Sequence, residues 1–279
     1  DGTGRVTNWL HKEDPRLWYR NRVDAGIHCF SPKILDRFTE LRKTDLDREV
    51  LKPLIPEGAL FAYDTPEYVK DMGTPDRYYE VGEDIRSGRV AARNLAHAQR
   101  AVFLDRDGTI NRYVGFLRRI DDFELLPGAA EAIRRINASG YLAIVVTNQP
   151  VIARGEVTRE ELDRIHEKME TLLGREGAFV DAVYYCPHHP DRGFAGEVAA
   201  LKIDCDCRKP KPGLLLRAAA DYHISLADSY MVGDGENDIL AGKAAGCRTA
   251  AIGEIPGADI VGRDLLDCVG RNLAEGARR

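Results

Sequence analysis

The chain has 279 residues, 44% hydrophobic and 30% charged, with a formal net charge of -5. That length suffices for two domains with real cores, and the acidic balance argues against nonspecific nucleic-acid binding, which relies on Lys and Arg against phosphates. No run approaches the roughly 20 apolar residues of a membrane span and no signal peptide is visible, so a cytoplasmic protein with neither nucleic acid nor membrane as partner is expected.

In chain order, residues 22–32 read as a strand with a turn and 34–41 carry helical spacing. Residues 45–51 predict a short helix ahead of Pro53, 58–63 a further strand, and Asp71-Met72-Gly73-Thr74-Pro75 opens another helix. This order resembles the C-terminal end of sugar-1-phosphate nucleotidyltransferases, in which an Asp-x-Gly-Thr element contributes an Asp to a magnesium site. The resemblance implies that Asp71 inherits that position; on its own the residue reads as an acid at a helix N-terminus. Only the tail of such an enzyme is covered, so its Gly-rich nucleotide loop is expected upstream of Asp1, in a nucleotidyltransferase domain of a larger fused protein. The mixed charges of 86–100, without aromatic interleaving, predict a solvated helical linker. The expected division is 1–82, a nucleotidyltransferase-like fragment; 83–100, the linker; and 101–279, a second domain.

From Ala101 onward strand and helix alternate. Strands are predicted at 102–105, 142–147, 182–185, 230–234 and 248–252, and helices begin at Gly128, Arg159, Gly213 and Asn237. That pattern predicts an α/β fold with a doubly wound parallel sheet. The run Ala101-Val102-Phe103-Leu104 is too apolar for a surface and ends in Asp105-Arg106-Asp107-Gly108-Thr109. In such a sheet the carboxyl ends of central strands face the ligand crevice, so two acids there suit a metal and a nucleophile; a solvated turn is the alternative. Downstream, the second strand ends in Thr147-Asn148-Gln149, groups able to hold a phosphoryl oxygen. Arg208-Lys209 stands in a stiff segment with Pro210 and Pro212, and a third strand runs into Gly233-Asp234-Gly235-Glu236-Asn237-Asp238.

In this order the four features resemble the motifs of the haloacid dehalogenase superfamily of phosphohydrolases. The resemblance implies that Asp105 is the nucleophile, Asp107 the acid/base, Thr147 with Asn148 the phosphate holder, Lys209 the charge clamp, and Asp105, Asp107 and Asp234 the Mg2+ set. Asp238 reads either as support for that set or as a first-turn helix acid. A cation is needed because the anionic oxygens of a phosphate monoester repel an attacking carboxylate.

Cys186-Pro187-His188-His189 and Cys205-Asp206-Cys207 form paired short spacings across a loop, a pattern suited to a closed tetrahedral zinc site. A disulfide is the alternative, and His188 and His189 are both available. The segment is similar to that of histidinol-phosphate and D-glycero-D-manno-heptose 1,7-bisphosphate phosphatases, which selects His188 and implies that Zn2+ orders a loop delivering Arg208-Lys209. The long stretch 190–204, together with Thr147-Asn148-Gln149 and Ala153-Arg154-Gly155, resembles the heptose branch, implying Gln149, Arg154 and Arg208 as further substrate-binding residues. Pro150-Val151 departs from the Ser-Gly usual after that Gln, and Gly235 stands where some members place a Lys. Asn111 and Gly128 are too close together for a large cap domain, so a small flap and the zinc loop are expected to cover the site. The function expected is Mg2+-dependent removal of phosphate from a small phosphorylated sugar, foremost a heptose bisphosphate. Histidinol phosphate, an inactive phosphatase-like passenger of a transferase and a zinc-stabilised binding module are the alternatives.

Overall fold

The computed structural model describes residues 3–276 except 12, 39 and 41. Two compact units are present, one of Asp1–Leu17 with Arg22–Lys70 and one of Trp18–Asn21 with Asp71–Arg279.

The first unit holds little regular structure. A 3-10 turn spans Pro32–Arg37, and a π-type turn, Leu46–Leu51, continues into α1 (Lys52–Leu54). Asp45 caps that turn by accepting from the Arg48 amide at 3.0 Å, and Val50, Leu51 and Leu54 are its buried apolar residues. The strands expected at 22–32 and 58–63 do not form: only Phe61 pairs, in a single antiparallel bridge to Arg5. An extended segment with no neighbouring strand must leave its peptide groups to water, and a two-stranded ladder alone is marginal. Of the helical spacing at 34–41, only the part through Arg37 is a helical turn, and Thr39 and Leu41 lie outside the described residues.

The second unit opens on α2 (Pro75–Arg86), where Thr74 is the N-cap and Pro75 stands in the first turn, followed by α3 (Arg89–Ala92). Arg93, just beyond α3, makes a 2.6 Å pair with the buried Asp181 and donates to the Tyr141 carbonyl. Then come β1 (Ala101–Leu104), α4 (Ala129–Ala138), β2 (Leu142–Asn148), α5 (Arg159–Arg175) and β3 (Ala182–Cys186). They are followed by α6 (Gly213–Tyr222), β4 (Tyr230–Gly233), α7 (Glu236–Ala245), β5 (Arg248–Ile252), β6 (Ile260–Gly262) and α8 (Leu265–Gly276). All strand pairs are parallel, in the order β3-β2-β1-β4-β5-β6.

β1 is apolar throughout because both its faces are covered. Val102 and Leu104 join the core under α4, α5 and α8, whereas Ala101 and Phe103 pack with Leu214, Leu215 and Ala218 of α6 and Ala241 and Ala245 of α7. The chain winds outward from β1 to β3 and then returns to β4 on the other side of β1, which puts the topological switch point between β1 and β4. In sheets of this kind the crevice outside the carboxyl ends at that point takes the ligand. No helix among the described residues is long and apolar enough to cross a membrane.

Candidate active site

Register aligns the strand ends: Leu104 stands beside Val145 of β2 and Val232 of β4. Asp105 and Asp234 therefore leave the sheet on the two sides of the switch point. The Asp105 amide still donates to the Val232 carbonyl at 2.9 Å, after which the chain turns back, with the Ile110 and Asn111 amides both donating to the Arg106 carbonyl. Gly108 has a φ of 84°, and a Cβ there would lie 1.9 Å from Asp234 Oδ2. Only glycine allows this turn to approach the acid so closely.

Carboxylate oxygens of Asp105, Asp234 and Asp238 lie within 4.8 Å of one another. Lys209 enters this group from the segment ahead of α6, its Nζ 2.7 Å from Asp105 Oδ1 and 2.6 Å from Asp238 Oδ1. Asp238 also accepts from the Gly235 amide at 3.0 Å, so it both caps α7 and holds the lysine. Three carboxylates facing one ammonium leave an excess of two negative charges, a donor set that fits a divalent cation with a preference for oxygen. The same crowding is visible in proton affinity. Burial, reinforced by the charges of Asp238 and Asp107 and opposed by Lys209, pushes Asp105 up to about 6. Withdrawal from water and the charge of Asp105 push Asp234 up to about 6.

Asp107 faces elsewhere. Its carboxylate receives two hydrogen bonds from Arg106 Nη2 (3.0 and 2.7 Å), one from Asn111 Nδ2 (3.0 Å) and one from Gln149 Nε2 (2.9 Å). Burial raises its pKa, but the Arg106 charge and these donors outweigh burial and hold it below the usual carboxylate range. Its side chain thus stands outside the converging trio of Asp105, Asp234 and Asp238. The physical reason is that Arg106 has already claimed the Asp107 carboxylate.

The other expected phosphate and substrate groups divide in the same way. Gln149 Nε2 donates to Asp107 and, at 2.9 Å, to Thr147 Oγ1; Thr147 is buried at the end of β2. Asn148 makes two bonds to the Lys209 backbone, donating to its carbonyl and accepting from its amide, both at 3.0 Å. It therefore positions the lysine from behind. Arg154 lies with its guanidinium carbon 4.3 Å from the Phe116 ring centroid and 4.1 Å from that of Phe194, between the flap after β1 and the loop after β3. Arg208 donates to the His188 carbonyl at 3.3 Å.

Cys186, His188, Cys205 and Cys207 converge as a second group. Their Sγ atoms are 3.1 to 3.5 Å apart, and His188 Nδ1 is 3.3 Å from Cys207 Sγ and 3.7 Å from Cys186 Sγ. Metal–sulfur bonds of about 2.3 Å in a tetrahedron give sulfur–sulfur edges of about 3.8 Å, so the set is near the size a zinc ion needs. A disulfide requires about 2.05 Å, and Cys186, Cys205 and Cys207 are all free thiols. Hydrogen bonds from Cys186, Cys205 and His188 pull the Cys207 thiol down to about 5. His189 turns away, its Nδ1 accepting from the Asp191 amide at 3.2 Å.

Sequence reasoning passed over Arg106, Asn111 and His166, the residues that surround Asp107 or stand behind it. One signal was present: along α5 the buried stripe Leu162, Ile165, Met169 and Leu173 carries His166 and Glu170 on its shoulder, one turn apart. Two polar residues at that spacing in an apolar stripe need partners.

Comparison with known proteins places the chain in one family. A family described as haloacid dehalogenase-like hydrolase matches residues 57–246. A D-glycero-beta-D-manno-heptose-1,7-bisphosphate 7-phosphatase of Pasteurella multocida is 45% identical over 147 residues, 53% of this chain and 77% of that enzyme. The protein of the same description from Escherichia coli K12 is 43% identical over 158 residues, 57% of this chain and 81% of its own. Among solved structures, the D,D-heptose 1,7-bisphosphate phosphatase of B. bronchiseptica, complexed with magnesium and phosphate, is 33% identical with a TM-score of 0.56. It covers 63% of this chain and 99% of its own.

Proposed function

The chain belongs to the haloacid dehalogenase-like hydrolases, and on that premise we propose that it removes the 7-phosphate of D-glycero-D-manno-heptose 1,7-bisphosphate through an aspartyl-phosphate at Asp105. Within the family it is a phosphoric monoester hydrolase, and the single observation that carries the assignment to its residues is the Asp105 carboxylate at the end of β1, 2.7 Å from Lys209 Nζ at the switch point. The names of the relatives support the heptose substrate.

Asp105 attacks phosphorus in line, and Lys209 answers the charge on the transferred group. Mg2+, for which Asp105 and Asp234 are the ligands with Asp238 beside them, would supply neutralisation of the phosphoryl oxygens. Asp107 hands a proton to the departing alkoxide and takes one from the water that releases phosphate. In the free site the Arg106 charge favours its ionised form, and over the cycle the proton taken from water in the second step replaces the one given in the first. Thr147, Asn148, Gln149, Arg154 and Arg208 line the way to the phosphate or fix the groups that touch it.

Cys186, His188, Cys205 and Cys207 hold a structural Zn2+ in this reading, supported by their spacing and their near-tetrahedral edges. Residues 1–82 are assigned to a sugar nucleotidyltransferase-like element, and 83–100 link it to the phosphatase at 101–279. The Asp71-Met72-Gly73-Thr74 element supports that assignment. A phosphorylated sugar as substrate fits a cytoplasmic location.

The test is phosphate release by the purified chain with Mg2+ from both C1 anomers of the heptose bisphosphate and from histidinol phosphate. The heptose ester should be preferred, and Asp105→Asn should abolish release. Preference for histidinol phosphate would replace the substrate, and a folded, metal-loaded chain that releases nothing would overturn the assignment.

A further inference from the structure

Arg106, between the two strand-end acids, is fully buried, the largest side chain among the described residues to be so. Its guanidinium serves two partners. Nη2 bonds both oxygens of Asp107, and Nη1 lies 3.2 Å from Nε2 of His166 on α5. A guanidinium has no acceptor and does not lose its proton, so the imidazole must accept through Nε2 and carry its own proton on Nδ1. Burial and the positive charges of Arg106 and Arg20 hold His166 well below its usual pKa, in keeping with that neutral tautomer. The acid one turn further along α5, Glu170, is answered by Arg20 at 2.8 Å and the Asn21 amide at 2.6 Å, both from the segment Trp18–Asn21. His166 is thus the neutral acceptor that steadies Arg106 without competing with Asp107 for its charge.

We propose that His166 is a positioning residue for phosphoryl transfer: by accepting a hydrogen bond from Arg106 it fixes the guanidinium plane that holds the Asp107 carboxylate. The proposal rests on the assignment of Asp107 as acid/base made above. A bidentate pair sets the direction of a carboxylate only when the guanidinium itself is fixed. Asn111 and Gln149 hold Asp107 from other sides, so loss of His166 loosens the proton donor without removing it.

The experiment compares the full chain with its His166→Leu and His166→Gln variants on the heptose bisphosphate and on p-nitrophenyl phosphate. The sugar alkoxide needs a proton to leave; nitrophenolate does not. General acid catalysis contributes roughly 10²–10⁴-fold, so His166→Leu is expected to lower kcat for the sugar ester by about tenfold or more while KM stays within about twofold. The first-turnover burst of nitrophenol should persist within about threefold, since it bypasses the proton transfer. His166→Gln, whose carboxamide oxygen reaches the Nε2 position, should restore most of the rate. If the leucine variant fails to fold, His166→Asn gives the same test, because its shorter amide falls at the Nδ1 position and stops short of Arg106. Unchanged kcat in the leucine or asparagine variant, equal losses in the first turnover of both substrates, or a glutamine variant as impaired as leucine would overturn the proposal. A wild-type chain inert toward both esters removes the role of Asp107 and this proposal with it, a result distinct from an active wild type matched by its variants.

Discussion

Replacing Lys209 with Met separates charge from shape at the centre of the site. The side chains are of similar length, but the ammonium that stands 2.7 Å from Asp105 and 2.6 Å from Asp238 is lost. At an effective dielectric of 20, each such contact amounts to roughly 6 kcal/mol before desolvation is subtracted. Removing one partner of a buried pair nets a loss of about 3–5 kcal/mol, which for a domain of this size lowers Tm by roughly 6–20 °C. Catalysis should fall further, because a fixed donor on a developing phosphoryl charge is worth about 10²–10³ in kcat. Affinity for Mg2+ should move the other way. With the competing ammonium gone, the pocket's excess of negative charge rises from two to three, so the midpoint of Mg2+-dependent stabilisation should shift to lower concentration. Colorimetric phosphate release gives kcat, and thermal melts across a Mg2+ titration give the other two quantities. A variant with kcat within threefold of wild type, or one needing more Mg2+ for the same stabilisation, would refute the role given to this lysine.

Three further outcomes are expected. In EDTA, stability should fall as pH rises from about 4 to about 6.5: Asp105 and Asp234 bind protons more tightly folded, near 6, than unfolded, near 3.8, so the folded state loses its advantage as they ionise. Urea melts should show this slope, and saturating Mg2+ should flatten it; a slope unaltered by Mg2+ would count against the carboxylate site. Gly108→Ala should cost most of the activity and the Mg2+ response, since the new Cβ collides with Asp234 at a φ that disfavours any side chain; an alanine variant with wild-type Mg2+ dependence would sink that reading. Metal analysis should find about one zinc per chain, and Cys205→Ser should expose the 187–204 loop to protease before the sheet melts, whereas a zinc-free native protein would end the zinc assignment.

The second unit was legible in sequence because its central strands β1, β2 and β4 are covered on both faces and therefore spell continuous apolar runs. β6 escaped notice because it has three residues and exposes Val261, too little for any period to register. The expected N-terminal strands fail for the opposite reason: their patterns suit a sheet, but pairing is a property of neighbours that a single segment does not carry. At the site, the residue types at the strand ends announced phosphoryl chemistry, yet their division of labour was hidden. Nothing local tells that Asn148 grips the Lys209 backbone, or that Gln149 and Arg106 take the Asp107 carboxylate. The Asn148–Lys209 and Gln149–Asp107 partnerships join residues 61 and 42 positions apart and depend on how the strands align, while Arg106, although next to Asp107, could equally have faced solvent.

That register also links the carboxylate group and the Cys/His group. Asn148, the residue gripping Lys209, pairs in the sheet with Cys186, the first cysteine of the second group, and Cys207, its last, is two residues before Lys209. The lysine is therefore held at both ends of a short path, by β2 through Asn148 and by the Cys/His cluster through Arg208, whose guanidinium returns to the His188 carbonyl. A flexible ammonium loses much rotamer freedom when fixed between two carboxylates. Anchoring its backbone from two sides lowers the entropy that catalysis would otherwise have to overcome on every turnover. If Asp105 is the nucleophile proposed above, a cluster remote from it sets in this way how well it is aligned for attack.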